Sequence, residues 1–200
     1  MDRAGEETDL SNFYAYVSRM RLIRRWGLMR STQPENDMEH SMQVTMLAHG
    51  IGLMAKTRLG IDVDLEKILL TAAYHDAPEV ITGDLATPVK YGNAGIRDAF
   101  HDMEHLAAER LLDMLPEDLR PGLERALKPD EATREWRIVK AADKLSAYIK
   151  CLEEARAGNR EFIRAQEAIK AQLDRMELPE LSLFMETFGE GFSLTLDEME

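Results

Sequence analysis

One mostly apolar segment of the chain is interrupted by a histidine and two acidic residues. It reads LLTAAYHDAPEVI over residues 69–81. On a helix, His75 and Glu79 would share one face, and Asp76 stands three residues before Glu79. Charged groups in an apolar setting are costly unless they are paired or bound to a metal ion. The segment therefore predicts a helix end that gathers a histidine and two carboxylates, ligand types that suit a divalent cation.

The apolar spacing on both sides of this segment is helical almost throughout. Phe13, Val17 and Met20 fall on one helical face, and no strand-length alternation interrupts the pattern. Longer helices are predicted over about 38–59, 64–77, 93–115, 131–157 and 162–173, with a short one opened by Pro116 and an apolar tail over 181–188. The prediction is a single all-α, bundle-like domain over residues 1–200, with a flexible N-terminus at about 1–9.

Composition narrows the class of protein. The chain has 25 basic and 37 acidic side chains, for a formal net charge of -12, which argues against general binding to a nucleic-acid backbone. Its single cysteine, Cys151, cannot form an internal disulfide. No run approaches the roughly 20 apolar residues that span a bilayer. These features predict a soluble cytoplasmic protein that binds neither nucleic acid nor membrane.

Two distant residues extend the histidine–aspartate pair. His40 opens the helix before it, within MEHS, and Asp143 lies in VKAAD on the apolar face of a long helix. An aspartate in such a place needs a partner. His40, His75, Asp76 and Asp143 are therefore the candidate metal ligands. The alternative for a histidine–aspartate pair taken alone is an ordinary structural pair.

Several motifs in a fixed order carry a resemblance to a known family. They are Arg24-Arg25-Trp26, Glu39-His40-Ser41, the 75–79 segment, Gly83-Asp84-Leu85, Thr87-Pro88-Val89-Lys90-Tyr91, Ala142-Asp143 and the 150–154 stretch. From about Phe13 onward the chain resembles the bacterial 5′-deoxynucleotidases of the HD-domain family, which are metal-dependent phosphohydrolases.

The resemblance implies a single HD domain, a homodimeric cytoplasmic enzyme and a role for each matching residue. It implies that His40, His75, Asp76 and Asp143 hold one divalent ion such as cobalt or manganese, and that Glu79 is the catalytic acid/base. It implies that Arg25 orients the substrate phosphate during catalysis. The residues expected to contact the substrate are Arg25, Trp26, Asp76, Asp84, Leu85, Ala86, Thr87 and Asp143.

The implied reaction is hydrolysis of a deoxyribonucleoside 5′-monophosphate by water that the metal ion activates, without a covalent intermediate. The alternatives are another HD reaction, on a nucleoside triphosphate or a cyclic nucleotide, and a non-catalytic helical dimerisation module. Trp26 could instead be a core aromatic, and Asp84 could instead cap a turn. Pro78 could tilt Glu79 relative to His75, and the roles of Lys90 and Lys144 stay open.

Overall fold

The computed structural model describes residues 10–90 and 92–199, apart from the side chains at positions 87 and 88. The predicted flexible N-terminus, residues 1–9, and Tyr91 lie outside the described residues. Within the described residues the chain is helical and has no strand, so the all-α prediction is confirmed. The described helices include none that is long and apolar enough to cross a membrane.

Ten α-helices account for most of the described residues. They are α1 (Phe13–Val17), α2 (Asp37–Leu53), α3 (Leu65–Tyr74), α4 (Glu79–Thr82), α5 (Thr87–Lys90), α6 (Ala94–Leu112), α7 (Arg120–Leu127), α8 (Arg134–Arg156), α9 (Ile163–Asp174) and α10 (Pro179–Phe188). Short 3₁₀ segments follow α1 at Ser18–Leu22 and precede α9 at Arg160–Phe162. A π-helical turn, Met54–Arg58, follows α2.

Two expectations about helix limits are wrong. His75 and Glu79 do not share one helix, because α3 ends at Tyr74 and a turn at residues 75–78 leads into α4. Pro78 disfavours helical geometry in the residue before it, which explains the break. The short helix expected at Pro116 begins instead at Arg120, with Pro121 in its first turn, where the fixed proline φ suits helix initiation.

Side-chain caps fix where the helices that carry the site begin. The Asn36 side chain accepts hydrogen bonds from the backbone of Met38 and Glu39, and therefore starts α2 at Asp37. His40 consequently lies in the first turn of α2. Thr133 caps α8 in the same way, so this helix begins three residues later than the sequence suggests.

Two hydrophobic clusters meet at the histidine–aspartate turn. The larger packs α2, α3, α8 and α10 together and includes the fully buried Ala72 and Ala142. The smaller joins α1, α6 and α7 and includes the fully buried Ala77. Because Ala72 and Ala77 flank His75 and Asp76, the turn is held on both sides by packed core.

Candidate metal centre

Three elements bring the predicted ligands together. His40 comes from the first turn of α2, His75 and Asp76 from the turn after α3, and Asp143 from the middle of α8. One donor atom each from His40, His75 and Asp143 lies within 4.8 Å of the other two. Asp76 is adjacent, with its Oδ1 3.2 Å from His75 Nε2 and its Oδ2 3.5 Å from His40 Nε2.

One hydrogen bond, through Nδ1, and one close contact, through Nε2, define the position of the His40 ring. Its Nε2 lies 3.1 Å from Asp143 Oδ1, and its Nδ1 lies 3.0 Å from Ser146 Oγ. The Ser146 hydroxyl donates its proton to Gln43 Oε1 at 2.6 Å. A hydroxyl has one proton to give, so Ser146 accepts from Nδ1–H of His40. This assigns the proton to Nδ1 and leaves a lone pair on Nε2, the atom that faces the other candidate ligands.

His75 is oriented in the same sense. Its Nδ1 donates to the backbone carbonyl oxygen of Ala72 at 2.8 Å, the second interaction that commonly fixes a metal-ligating histidine. Its Nε2 is buried and makes no hydrogen bond. Burial alone would lower the pKa of His75, but the adjacent carboxylates of Asp76 and Asp143 raise it above its ordinary value. A buried imidazole nitrogen without a donor, facing carboxylates, fits a divalent cation.

The two aspartates are held in the charged form that a ligand needs. Burial alone would raise the pKa of Asp76, but His75 and Arg25 hold it well below its usual range. Burial would likewise raise the pKa of Asp143, but Lys140 and His40 keep it well below its usual range. Both carboxylates therefore remain ionised at neutral pH and can accept a cation directly.

A second acidic group lies on the other side of Asp76. One oxygen each from Asp37, Asp76 and Glu79 lies within 4.8 Å of the others. Arg25 serves this group, because its Nη1 lies 3.0 Å from Asp76 Oδ2 and 3.8 Å from Asp37 Oδ1. Both oxygens of Asp37 and Oε2 of Glu79 are buried without a hydrogen bond.

Glu79 has the environment of a carboxylic acid that keeps its proton. Burial raises its pKa to about 10, and the charges of Asp76 and Asp37 act in the same direction. Asp37 is affected similarly, since burial and the charge of Asp76 raise its pKa to about 7. A protonated Glu79 beside the metal ligands can donate a proton to a leaving group.

Arg25 and Trp26 lie on a loop and not on a helix. Besides Asp76, Arg25 binds Glu35 through Nε at 2.9 Å, so its guanidinium is fixed by carboxylates from two segments. Trp26 has a φ of 59°, in the left-handed region that residues other than glycine rarely adopt. Its ring centroid lies 5.2 Å from that of Phe162, and its Nε1 is buried without a hydrogen bond. Trp26 is thus partly core aromatic and partly an available donor beside Arg25.

The predicted 84–87 loop interacts electrostatically with the site through Asp84. The prediction that this whole stretch is a loop is wrong, because a short helix begins at Thr87. Burial raises the pKa of Asp84, the charge of Arg25 lowers it and that of Asp76 raises it, so these charged groups act on one another. Leu85 and Ala86 are half-buried. Thr87 begins α5, which the sequence did not predict, and its side chain lies outside the description.

The two lysines left open by the sequence are engaged elsewhere. Lys90 Nζ donates to Glu104 Oε1 at 2.7 Å and lies 4.2 Å from the centroid of the Phe100 ring, both on α6. Lys144 Nζ donates to Gln172 Oε1 on α9 at 2.9 Å. Arg25 contacts the candidate ligand Asp76, and Lys140 of α8 contacts another, with its Nζ 3.5 Å from Asp143 Oδ2.

Sequence reasoning missed four residues that shape the site: Glu35, Asp37, Gln43 and Ser146. Helical spacing offers a signal for three of them. Asp37 and Gln43 lie three residues on either side of His40, and Ser146 lies three residues after Asp143, so each shares a face with a candidate ligand. Glu35 gives no such signal, because it reaches Arg25 only when the loop between the two residues folds back on itself.

Comparison with known proteins agrees with this fold. The family model described as 5′-deoxynucleotidase YfbR-like matches residues 12–192. The chain is 46% identical over 193 residues to the 5′-deoxynucleotidase YfbR of Shigella flexneri serotype 5b, covering 94% of this chain and 96% of that protein. It is 46% identical over 190 residues to the 5′-deoxynucleotidase of Erwinia tasmaniensis, with the same coverage.

Solved structures share the fold at lower identity. An HD-domain phosphohydrolase from Listeria innocua matches with a TM-score of 0.79 and 23% identity, covering 90% of this chain and 88% of that one. The HD phosphohydrolase DatZ of cyanophage S-2L, bound to dA and one catalytic Zn²⁺ ion, matches with a TM-score of 0.64 and 21% identity, covering 90% of this chain and 96% of that one.

The helical fold and the clustered histidines and aspartates define an HD-domain phosphohydrolase. The two 5′-deoxynucleotidases match over 94% of this chain at 46% identity. Within that class, the chain belongs to the YfbR-like family of 5′-deoxynucleotidases, which are phosphoric monoester hydrolases. The resemblance found in the sequence is thereby confirmed.

Proposed function

We propose that this protein hydrolyses deoxyribonucleoside 5′-monophosphates to a deoxynucleoside and phosphate. The observation that carries the proposal is the cluster of His40, His75 and Asp143 donor atoms within 4.8 Å, with Asp76 and Arg25 beside it. The 46% identity to 5′-deoxynucleotidases over most of the chain supplies the substrate class. The dA-bound phage relative supports a deoxynucleoside in the same fold.

The cofactor is one divalent metal ion, and His40, His75, Asp76 and Asp143 would hold it. The Nε2 atom of His75, which is buried and makes no hydrogen bond, is the best-suited ligand atom for this ion. When bound, such an ion withdraws charge from phosphoryl oxygens and lowers the pKa of water. The zinc of the phage relative supports a divalent ion, and cobalt and manganese suit the same nitrogen and oxygen donors.

Arg25 binds and orients the phosphate. A planar guanidinium offers parallel N–H donors that match two phosphate oxygens. Its contacts with Glu35 and Asp76 hold it in one orientation at the edge of the metal centre. Trp26, next to it, contributes a flat surface and a buried, unused N–H donor.

Glu79 moves a proton at the leaving oxygen. Burial keeps its carboxyl protonated, with a pKa raised to about 10, so it can donate to the 5′-oxygen as the phosphorus–oxygen bond breaks. The deoxynucleoside itself would lie along the 84–87 loop, where Asp84 can accept a hydrogen bond from the sugar. Water attacks phosphorus directly, without a covalent intermediate; one of its protons stays on the released phosphate and the other restores the Glu79 carboxyl.

Finer properties belong to the same proposal. The protein is cytoplasmic, in keeping with a single cysteine that requires no oxidising compartment. It is a homodimer, and the exposed side chains of Met38, Met42 and Met46 along one face of α2 offer an apolar surface for association. Sedimentation equilibrium tests the dimer, and a Met42→Lys and Met46→Lys double variant should sediment as a monomer.

A phosphate-release panel tests the activity. Purified protein is assayed with dAMP, AMP, dATP and 3′-dAMP, each with cobalt, manganese or zinc. Release from dAMP alone, or far above the other compounds, supports the proposal. Faster turnover of dATP identifies a triphosphate hydrolase, and release from no compound with any ion favours the non-catalytic dimerisation module. Cyclic dAMP, added to the panel, covers the phosphodiesterase alternative.

A further inference from the structure

The segment that carries Arg25 and Trp26 is tied to the body of the protein far from the metal centre. We call residues 24–36 the arginine loop. Its base is closed by an antiparallel bridge between Arg24 and Asn36, and by the Arg25 N–H, which donates to the Glu35 carbonyl oxygen at 3.0 Å. Between residues 27 and 35 the loop forms no helix or strand. Side chains from elsewhere must therefore hold its far part.

A buried ion pair on α8 supplies that hold. Glu154 is fully buried, and its carboxylate accepts hydrogen bonds from the backbone N–H of Thr32 at 2.8 Å and of Gln33 at 3.2 Å, and from the Thr32 hydroxyl at 2.9 Å. Lys150, one turn earlier, donates to Glu154 at 2.6 Å and to the Gln33 carbonyl oxygen at 2.6 Å. The pair thus provides hydrogen-bond partners for two backbone N–H groups of the loop, those of Thr32 and Gln33, and for the Gln33 carbonyl oxygen.

Two further contacts fasten the loop at the same end of α8. The Asn159 side chain donates to the Arg30 carbonyl oxygen at 2.6 Å and to Glu154 at 2.8 Å. The Trp26 ring packs against Phe162. The loop therefore lies across the C-terminal end of α8 and the turn that follows it.

The conformation of Trp26 requires such fastening. A non-glycine residue in the left-handed region costs about 1–3 kcal/mol and persists only where the surroundings impose it. The base of the loop and the α8 anchor act on either side of Trp26. If the anchor were released, the loop could relax this strain, and Arg25 would move with it.

We propose that Glu154 and Lys150 are positioning residues, which fix the arginine loop on α8 so that Arg25 and Trp26 meet the substrate next to Asp143. Asp143 and Glu154 lie on one helix, about three turns apart, so a single rigid element sets the distance between metal centre and phosphate clamp. The kinetic consequence rests on the proposed function, whereas the placement of the loop does not.

The sharpest variant is Glu154→Gln. It keeps the shape of the side chain, but it replaces one of the two acceptor oxygens. Its NH₂ group then faces either the donors of Gln33 and Lys150 or those of Thr32 and Asn159. Buried donors without an acceptor are strongly disfavoured, so the loop must leave the anchor. Thr32→Val is a milder second variant, which removes only the contact of the Thr32 hydroxyl with Glu154. It tests the proposal even if Glu154→Gln fails to fold.

Glu180→Gln is the matched control. Glu180 is also fully buried, and it binds Arg134 of α8 through two hydrogen bonds of 2.9 and 2.8 Å. That pair joins α8 to α10 and does not touch the arginine loop. Both variants therefore break the ion pair of a fully buried glutamate with a cation of α8, and only one of them releases the loop.

Three measurements are made on the full-length protein: melting temperature, manganese affinity without nucleotide, and the KM and kcat for dAMP. We expect Glu154→Gln to raise KM for dAMP at least tenfold and to leave manganese affinity within threefold of the wild type. Thr32→Val should raise KM two- to fivefold. Glu180→Gln should lower the melting temperature about as much as Glu154→Gln does, but it should leave the KM for dAMP within twofold of the wild type. A KM unchanged in both loop variants, or raised equally by Glu180→Gln, would overturn the proposal.

Fluorescence separates this proposal from the proposed function. In a Trp136→Phe background Trp26 is the remaining tryptophan, so acrylamide quenching reports its exposure. Quenching should increase in Glu154→Gln and stay unchanged in Glu180→Gln. That result in a protein that releases no phosphate from any nucleotide would refute the proposed function and support the anchor. Equal quenching in all variants would refute the anchor whatever the activity.

Discussion

The Nδ1 atom of His40 lies 3.0 Å from the hydroxyl oxygen of Ser146, and that hydroxyl donates onward to Gln43. The chain of hydrogen bonds leaves the proton of His40 on Nδ1. Its Nε2 consequently carries a lone pair and lies 3.1 Å from Asp143 Oδ1. A residue outside the ligand set thus prepares a ligand, and it can be changed without removing any metal donor.

Ser146→Ala should weaken metal binding about 10- to 100-fold, the usual effect of losing a partner behind a metal-bound histidine. Equilibrium dialysis with manganese measures it. Ser182→Ala is the control: Ser182, on α10, donates its hydroxyl to the Leu178 carbonyl oxygen, and its loss should leave affinity within twofold. Equal affinity in the Ser146 variant would show that the ring does not need this partner.

Glu79→Gln should lose about 10²- to 10⁴-fold in kcat, because an amide cannot deliver the proton to the 5′-oxygen, and it should still bind the metal. Asp76→Ala should lose both metal and turnover. Phosphate release and metal content, measured on the same samples, test the pair. Full activity in Glu79→Gln would assign the proton to another group.

Arg25→Lys should raise KM for dAMP about 10- to 100-fold, since a charge-assisted hydrogen bond contributes about 1.5–3 kcal/mol and an ammonium cannot replace the planar fork. Lys90→Met is the comparison, because Lys90 already binds Glu104 and should change KM by less than threefold. The reverse order of effects would make Lys90 the phosphate ligand.

Manganese at about 100 times its dissociation constant should add about 2.7 kcal/mol to the free energy of unfolding. For a chain of this size that corresponds to a rise of about 5–10 °C in melting temperature, and excess chelator should reverse it. His75→Ala should abolish the rise, whereas His105→Ala, an exposed position on α6, should preserve it. Differential scanning calorimetry measures all four conditions.

Acid should destabilise the metal-free protein partly through Glu154. Burial alone would raise the pKa of Glu154, but hydrogen bonds from Lys150 and Thr32 lower it to about 2, below the usual 4.5. A lowered pKa gives stability that is present above pH 4.5 and is lost as pH falls towards 2. Between pH 7 and pH 3 we expect this group to account for a loss of about 2 kcal/mol.

Urea unfolding at pH 7 and pH 3 tests that contribution. The wild type should lose more stability between the two pH values than Glu154→Gln, by about the stated amount. A Glu154→Gln variant with the same acid sensitivity as the wild type would show that the carboxylate does not titrate as the contacts require.

The sequence predicts the helices well where apolar spacing and caps agree. The start of α3 after Asp64 and the end of the π-helical turn near Gly60, which has a positive φ of 65°, follow from local chemistry alone. The break between His75 and Glu79 was only half foreseen, because Pro78 marks a bend without fixing how the following residues turn. Short helices such as α5 depend on packing that local propensity does not specify.

The candidate ligands could be proposed from the sequence because each is an unusual residue for its place. Asp143 lies on a buried helical face, and His75 lies in an apolar run. The partners of Arg25 could not be proposed, because Glu35 and Asp76 reach it only after a loop and a turn fold against each other. The Glu154 contact with Thr32 spans 122 residues and leaves no local pattern.

Helix α8 carries Asp143 at one level and Glu154 about three turns further on. Inserting or deleting one residue between them would rotate one against the other by about 100° and shift it by about 1.5 Å. Substitutions on the outer face of this stretch should therefore be widely tolerated. Insertions and deletions should not be tolerated, because the number of residues between Asp143 and Glu154 sets the position of the arginine loop relative to the metal centre.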